Sequence, residues 1–394
     1  MRITAIRTHV VGLHFRNAVF VEIETDQGIT GISETVMKRR TLTIAQAIAE
    51  FGRGLVGQDP RRIEDLWEKM YRDSFWVGGP LHATPISAID CALWDIAGKR
   101  LGEPVYSLLG GPTRDEVLLY CHCPSGETPA EFADNVRTCV RRGFKAIKTT
   151  LPVFYGRRAR AERAVGYSGT SGYIGPSVKE TEYLPPDVFE RIREFLVAAR
   201  EAGGPALGIA VDCHGRLSPK AAITLCRRVE DLDLLFLEEP IPPEHPEALA
   251  EVRRATTVPI AAGERWATIH GVREFLERRS VDVLQCDLVN CGGITGMRKI
   301  AALAEAQYVG LAPHNPNGPV ATAMNLHLAA AIPNFLILET VGSCDDDRLF
   351  GELTSPPLVR RDGHGCLPTG PGYGISLRHD AFAAHPYEPF NGFR

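Results

Sequence analysis

The sequence has no long run of basic residues, no Cys-x-x-Cys pair and no apolar stretch long enough to cross a bilayer. The formal net charge is −4 over 394 residues, which argues against nucleic acid or an anionic membrane as a partner. A membrane-spanning helix needs about 20 mainly apolar residues, and none is found here. The composition is otherwise that of an ordinary globular protein, with 44% hydrophobic and 23% charged residues.

The first residues, MRITAIRTHVVG, predict a β-strand and lack the apolar segment and cleavage site of a secretory signal peptide. The ten cysteines are scattered along the chain, and several lie in apolar segments, among them Cys91, Cys226 and Cys286. Without a secretion signal, such cysteines are expected to be reduced and mostly buried. We therefore expect a cytoplasmic protein that binds neither nucleic acid nor membranes.

The order of the periodic patterns predicts two domains, and 394 residues exceed what one core usually holds. Residues 1–115 begin with extended segments around the turn DQGITG and continue with helical periodicity, which predicts an α+β domain. Residues 116–345 alternate short apolar runs with amphipathic helices, which is typical of a parallel sheet. Residues 346–394 are rich in Gly, Pro and Asp, and we expect them to return to the N-terminal domain.

Six consecutive apolar runs of the second domain end in an ionisable residue, and each run is separated from the next by one predicted helix. These residues are Asp212, Glu238, Glu264, Asp287, His314 and Glu339. Two earlier strands end near His122 and Lys148, and eight parallel strands would close a barrel. All strands of such a barrel end at one mouth, so these side chains are predicted to converge there.

Three carboxylates, Asp212, Glu238 and Glu264, end three adjacent predicted strands. Held close together, they repel one another unless a cation lies between them. Oxygen ligands without cysteine favour Mg²⁺ or Mn²⁺. For any one of them, a surface carboxylate at a helix start is an equal alternative. All three at this spacing predict a divalent-metal site.

The chain resembles the enolase superfamily in motifs that follow one another along nearly its whole length. They are ETDQGITG, VGQDP, AIDCALWDIAGKRLGEPVYSLLGG, DCHGR, LEEP, AAGER, CGGITGMRKIAALAE and APHNPNGP. The resemblance is greatest to the mandelate racemase branch, and within it to D-galactonate dehydratase and related sugar-acid dehydratases. It implies an α/β fold, a (β/α)7β modified TIM barrel with an α+β capping domain formed from both chain ends. It also implies a homo-oligomer, dimer to octamer, that acts on a small sugar acid.

The resemblance also implies how the strand-end residues abstract the proton α to a carboxylate. The three carboxylates match the family's ligands for Mg²⁺, with Mn²⁺ as a substitute. His314 matches the general base, and Asp287 matches its partner on the preceding strand. Glu339 matches a residue that hydrogen-bonds the substrate carboxylate, and Lys148 is expected to contact the same group.

His214, two residues after Asp212, distinguishes the expected reactions. In the sugar-acid dehydratases a histidine in this place protonates the departing 3-hydroxyl, so its presence favours elimination to a 2-keto-3-deoxy sugar acid. Thr150 stands where a two-base racemase would have a second lysine. Both residues argue against the alternative, a cycloisomerase or epimerase of a sugar acid. A catalytically inactive homologue is a third possibility, and the complete set of ligands and bases argues against it.

A long segment at residues 151–186 departs from the galactonate dehydratase pattern and resembles the insertion of mannonate dehydratases, where a Tyr is catalytic. Tyr155 is the corresponding candidate, which keeps mannonate dehydratase as an alternative. That type pairs its Tyr with an Arg where this chain has Lys148, and it lacks an acid matching Asp287. We therefore favour His314 as the base and interpret the segment as a lid or an oligomer contact.

Substrate selection in this family depends largely on loops of the capping domain. The segments concerned are 14–17, 38–40 and 75–81. Trp76 in the last of these is a candidate substrate contact, and Arg265 and Asn315 are barrel candidates because each adjoins a predicted site residue. The sequence does not indicate which hydroxyl stereochemistry they accept.

Overall fold

The computed structural model describes most of the chain and shows a capping unit and a barrel. The described residues are 1–13, 16–151, 154, 184–341 and 344–389. Within these ranges, no helix has both the length and the apolar character that crossing a bilayer demands. Among the cysteines whose side chains are described, none forms a disulfide and all except Cys366 are buried.

The capping unit starts with a three-stranded antiparallel sheet in chain order. Its strands are β1 (Ile3–Leu13), β2 (Arg16–Thr25) and β3 (Thr30–Thr35). Because side chains alternate along a strand, β2 directs Val19, Val21 and Ile23 to one face and Ala18 and Phe20 to the other. All five are fully buried, the first three in the core of this unit and the other two in the core shared with the barrel.

Four helices complete the N-terminal part of the capping unit. They are α1 (Thr41–Leu55), α2 (Ile63–Arg72), α3 (Pro80–Leu101) and α4 (Val105–Leu108). Helix α3 begins with a proline in its first turn and ends at Gly102, whose φ of 73° is the left-handed conformation favoured at helix ends. Because it packs between β3 and a barrel helix, α3 is buried on nearly all sides.

Eight parallel strands form a closed barrel. They are β4 (Glu116–His122), β5 (Ala146–Thr149), β6 (Gly208–Asp212), β7 (Phe236–Glu238), β8 (Ile260–Ala262), β9 (Val283–Leu284), β10 (Gly310–Leu311) and β11 (Leu338–Thr340). Neighbours pair in chain order, and β11 pairs with β4. A bridge between Leu311 and Phe335 joins the β10 side to the segment that leads into β11. The interior is filled by large side chains such as Tyr120 and Phe236 together with small ones such as Ala210.

Among the described residues, seven helices connect these strands on the outside. They are α5 (Pro129–Arg141), α6 (Pro186–Gly203), α7 (Pro219–Val229), α8 (Pro246–Arg254), α9 (Thr268–Glu277), α10 (Gly293–Glu305) and α11 (Pro319–Ala331). Proline suits the first helical turn, where its missing N–H would have no partner, and it begins five of the seven. The alternation confirms the predicted (β/α)7β barrel.

The C-terminal segment runs along the barrel and returns to the capping unit. Its elements are α12 (Cys344–Leu353), β12 (Thr354–Ser355), β13 (Arg360–Arg361), β14 (His364–Cys366), β15 (Ser376–Leu377) and α13 (His379–Phe382). Strand β14 pairs with β4 of the barrel. The Tyr373 hydroxyl donates to the Cys91 carbonyl of α3 at 2.7 Å, and the ring of Phe382 stacks on Phe20 of β2 at 5.5 Å. Both chain ends therefore build the cap, as predicted.

Asp90 of α3 connects the cap to the barrel, since its Oδ2 accepts a hydrogen bond of 2.9 Å from the Thr295 amide in α10. The side chain is fully buried. Burial raises the pKa of Asp90 from 3.8 to about 7, because an ionised carboxylate is costly away from water. The folded protein therefore binds a proton at Asp90 at a pH where the unfolded chain has released it.

We expect Asp90→Asn to remove part of the pH dependence of stability. With a raised folded-state pKa, the stabilisation is complete below the unfolded value near 3.8 and is lost as the pH rises through about 7. The unfolding free energy of the wild type relative to Asp90→Asn should fall by about 2–3 kcal/mol between pH 5 and 8. Thermal and urea unfolding measure this, and Asp134→Asn, on the surface of α5, is the control. A difference that does not change with pH would contradict the assignment.

Candidate active site

A cavity of about 760 Å³ lies where the cap covers the C-terminal ends of the barrel strands, the end at which TIM-barrel active sites lie. Arg16, Lys38, Arg39, Arg40 and Leu81 line it from the capping unit. Eight predicted site residues line it from the barrel: Lys148, Asp212, His214, Glu264, Arg265, Asp287, His314 and Glu339. The structure thus brings together side chains from six strand ends that are far apart in sequence.

The ammonium group of Lys148 lies among three carboxylates. Its Nζ is 2.7 Å from Glu339 Oε1, 2.9 Å from Glu238 Oε1 and 3.7 Å from Asp212 Oδ2. Burial alone lowers the pKa of Lys148, but attraction by Glu238 and Glu339 outweighs it, and the pKa lies well above its usual value. In this arrangement Lys148 is therefore positively charged at neutral pH.

Asp212 and Glu238 face each other on the paired strands β6 and β7, and both are buried. Gln285 donates from Nε2 to Glu238 Oε2 at 2.8 Å, which fixes that carboxylate. Burial raises the pKa of Asp212 and of Glu238, since buried negative charge needs compensation. With Glu264, they offer hard oxygen donors and no thiolate, which is the donor set that Mg²⁺ and Mn²⁺ prefer. The chemistry of these residues therefore fits the predicted ion.

Glu264 contacts His314 rather than the other two carboxylates. Its Oε2 lies 3.0 Å from His314 Nε2. In the part of the chain that the structure describes, the oxygens of Asp212, Glu238 and Glu264 do not all lie within 4.8 Å of one another. For the three carboxylates to hold one ion, at least one of their side chains has to move.

His314 lies between two carboxylates. Its Nδ1 is 2.8 Å from Asp287 Oδ2, and its Nε2 faces Glu264. Asp287 is held in turn by the amide of Val289, which donates to its Oδ1 at 2.9 Å. Burial lowers the pKa of His314, but the charges of Glu264 and Glu339 and the bond to Asp287 raise it well above its ordinary value. The imidazole is thus oriented by Asp287 and holds its proton at Nε2 while Glu264 remains beside it.

His214 follows β6 in a left-handed conformation, with a φ of 49°. Its amide donates to Asp212 Oδ1 at 2.8 Å, and its Nε2 lies 3.1 Å from Asp212 Oδ2. Its carbonyl accepts a bond of 2.9 Å from Arg265 Nη2. Burial lowers the pKa of His214 to about 3, so its imidazole is neutral at neutral pH. The turn places this ring in the cavity beside a predicted metal ligand.

The surroundings of Glu339 include two residues with roles that sequence reasoning did not foresee. His122, at the end of β4, contacts Glu339 Oε1 through Nε2, and it lines the cavity. Its position at a strand end was the available signal. Asn315, predicted to bind substrate, is fully buried: its amide donates to Glu339 Oε2 at 2.9 Å and its Nδ2 donates to the Glu339 carbonyl at 3.1 Å. Asn315 therefore positions Glu339.

The remaining predicted substrate contacts differ in their placement. Arg265 lines the cavity and pairs with Glu239 at 2.6 Å. Trp76 is 85% exposed and is absent from the described cavity wall, because the segment around it projects into solvent. Tyr155, residues 14 and 15 and most of the segment 151–186 lie outside the described residues.

Glu34 of β3 fixes the loop that carries His314, and no motif pointed to it. Its carboxylate accepts hydrogen bonds from the amides of Gly318 at 2.6 Å, Val320 at 3.0 Å and Ala321 at 3.1 Å, at the start of α11. A carboxylate there is favoured by the helix dipole. The cap therefore positions the loop between β10 and α11 directly.

Two family models match the chain. The model described as "Enolase C-terminal domain-like" matches residues 131–381, and "Mandelate racemase / muconate lactonizing enzyme, N-terminal domain" matches residues 2–110. A D-galactonate dehydratase family member of Streptomyces bingchenggensis is 37% identical over 383 residues, which are 95% of this chain and 91% of the relative. The D-galactonate dehydratase of Ralstonia pickettii is 38% identical over 328 residues, 83% of this chain and 78% of the relative.

The fold is shared with solved structures as well. A member of the enolase superfamily from Salmonella Typhimurium matches with a TM-score of 0.87 and 29% identity, covering 98% of each chain. The capped (β/α)7β barrel with acidic strand ends defines an enolase-type enzyme. The chain belongs to the enolase superfamily, in its mandelate racemase-like branch. The family predicted from the sequence motifs is confirmed.

Proposed function

We propose that the protein is a Mg²⁺-dependent sugar-acid dehydratase that removes the proton α to the carboxylate and the 3-hydroxyl group, giving a 2-keto-3-deoxy sugar acid. The observation that carries the proposal is the placement of two histidines in one cavity, His314 beside Asp287 and His214 beside Asp212. They follow β10 and β6, which are four strands apart in a barrel of eight and so on opposite sides of the mouth.

The reaction class has the broadest support. The relatives from Streptomyces and Ralstonia are named as D-galactonate dehydratases or members of that family, and the chain shares most of its length with each. The protein is therefore a hydro-lyase of the enolase superfamily, a sugar-acid dehydratase. Which sugar acid it takes, and how each side chain acts, belong to the proposal.

The three carboxylates, Asp212, Glu238 and Glu264, are assigned as the ligands of the metal ion. Members of this superfamily generally bind Mg²⁺, and these residues would hold it. When bound, it would supply positive charge that offsets the negative charge developing on the substrate carboxylate. Lys148 adds a fixed positive charge at the same place, because its Nζ contacts Glu238 and Glu339.

His314 is assigned as the base that takes the α proton at Nε2. Asp287 holds Nδ1 and so fixes the tautomer in which Nε2 can accept a proton. While Glu264 pairs with His314, that nitrogen retains a proton. If Glu264 held a cation instead, its charge would no longer raise the pKa of His314, and Nε2 could accept a proton. The shared carboxylate would thus couple metal binding to activation of the base.

His214 is assigned as the acid that protonates the 3-hydroxyl as it departs. Its neutral state in the free protein follows from burial. A negative charge brought by the substrate into this cavity favours the imidazolium. The hydroxyl leaves as water, the C2–C3 double bond forms, and the resulting enol tautomerises to the 2-keto acid.

The capping side of the cavity favours an anionic substrate. Four cationic residues line it there, namely Arg16, Lys38, Arg39 and Arg40. Arg16 also donates from Nη1 to Asn317 Oδ1 at 3.4 Å, and Asn317 Nδ2 contacts Asp287 Oδ2 at 3.3 Å. Arg16 of the cap is therefore linked through Asn317 to Asp287, which holds the proposed base His314. This arrangement suits polyhydroxy acids, both aldonates and aldarates.

A substrate screen tests the proposal. The protein is incubated with Mg²⁺ and a panel of aldonates and aldarates that includes D-galactonate and D-mannonate, and 2-keto acid is assayed with a carbonyl reagent. We expect keto acid from at least one member. Turnover of D-mannonate alone would favour the mannonate dehydratase alternative. Deuterium exchange at C2 without keto acid would favour an epimerase or cycloisomerase. The absence of both keto acid and deuterium exchange would contradict an enzyme of this class.

A further inference from the structure

Two histidines and a glutamate meet on the capping unit, outside the cavity described above. His9 of β1 and His379 of α13 both direct Nε2 at the same oxygen, Oε2 of Glu22 in β2, at 2.8 Å and 2.9 Å. Their ligand atoms all lie within 4.8 Å of one another, and among the described residues this is the one group of three with that property. We propose that His9, Glu22 and His379 form a binding site for a transition-metal dication such as Zn²⁺.

The donor set selects the class of ion. Two imidazole nitrogens with one carboxylate oxygen suit Zn²⁺, Ni²⁺ or Cu²⁺, whereas Mg²⁺ prefers oxygen ligands alone. Ligands at about 2.1 Å from a tetrahedral zinc ion are about 3.4 Å apart, so each imidazole nitrogen needs to move about half an ångström away from Glu22 Oε2. The ion replaces the protons that the two Nε2 atoms share with Glu22.

The geometry is held by packing rather than by the three residues alone. The ring of Phe382, in the same short helix as His379, lies 5.4 Å from the His9 ring and 5.3 Å from the His379 ring. Phe382 is itself fixed by stacking on the buried Phe20. The imidazoles are therefore oriented before an ion binds, which reduces the entropy lost on binding.

Exposure makes the cluster accessible and open on one side. The side chains of His9 and Glu22 are 30% and 14% exposed, and that of His379 is 53% exposed. Water can therefore occupy the fourth ligand position. The hydrogen bond from His9 lowers the pKa of Glu22 to about 2, so that it is an anion at neutral pH. Since the ligands come from β1, β2 and α13, the ion would join the C-terminal segment to the N-terminal sheet.

The test is a calorimetric titration of the full chain with Zn²⁺ at neutral pH, with millimolar Mg²⁺ present to occupy the active site. We expect one Zn²⁺ per chain, with binding weakened at least tenfold in His9→Gln and in His379→Ala. His364→Ala is the matched control, because His364 faces a single carboxylate, Glu116, at 3.7 Å. Unchanged zinc binding in both His9→Gln and His379→Ala, or no zinc binding by the wild type, would overturn the proposal.

A second measurement separates metal binding from simple packing. Zn²⁺ is expected to raise the thermal unfolding temperature of the wild type and of His364→Ala, but not that of His379→Ala. The dehydratase activity with Mg²⁺ should be the same in His379→Ala and wild type, since the cluster lies outside the cavity. If Zn²⁺ raised the unfolding temperature equally in all three proteins, the ion would bind elsewhere, and the proposed site would be wrong.

Discussion

Replacing His314 by Asn is expected to lower kcat by a factor of about 10²–10⁴, the usual contribution of a general base. Asn315 and Glu339 hold the neighbouring backbone, so the loop should keep its conformation. The same variant should lose exchange of the C2 proton with deuterated solvent, because exchange requires only the base. Mg²⁺ binding should persist, since His314 contacts the ligand Glu264 without being a ligand itself.

The matched comparison for this variant is His214→Asn. Without the acid, elimination should fall by a similar factor, but the C2 proton should still exchange, because His314 and Asp287 remain. Mass spectrometry of recovered substrate and the keto-acid assay measure the two steps separately. If His314→Asn retained the wild-type exchange rate, the base would have to be another residue and the assignment would be wrong.

Removing divalent ions with EDTA is expected to reduce activity to background, and adding Mg²⁺ or Mn²⁺ should restore it. Without the ion, the enediolate loses its main stabilising charge. Glu238→Gln should need far more Mg²⁺ than wild type for any recovery, because the substitution removes a ligand charge. His379→Ala, at the proposed zinc cluster, is the control and should follow the wild-type Mg²⁺ dependence. Full activity in metal-free buffer would contradict the role of the ion.

The barrel could be predicted because each strand and helix is visible in a short stretch of the sequence. Each apolar run from β4 to β11 ends near a polar residue, and parallel strands of a barrel end at one mouth. That reasoning gathered Asp212, Asp287 and His314 from distant parts of the chain, and the structure places all three in one cavity. Periodicity alone predicted only an α+β domain at the N-terminus. The family motifs then predicted that this domain caps the barrel.

Side-chain partners were harder to predict, because they depend on contacts between elements. The pairing of Lys148 with Glu238 and Glu339 requires three strands to be in place. The bonds of Glu34 to α11 cross from the cap to the barrel. Trp76 was an expected contact because of its loop, but the direction of an exposed loop side chain follows no periodic rule, and it points to solvent.

The proposed elimination depends on one divalent ion bound by Asp212, Glu238 and Glu264. A crystal structure of the protein grown with Mg²⁺ and a sugar acid tests it most directly. We expect an ion about 2.1 Å from one oxygen of each carboxylate, with Glu264 detached from His314 and Nε2 of His314 facing the α carbon. An ion bound elsewhere, or Glu264 still paired with His314 in the presence of substrate and Mg²⁺, would contradict it.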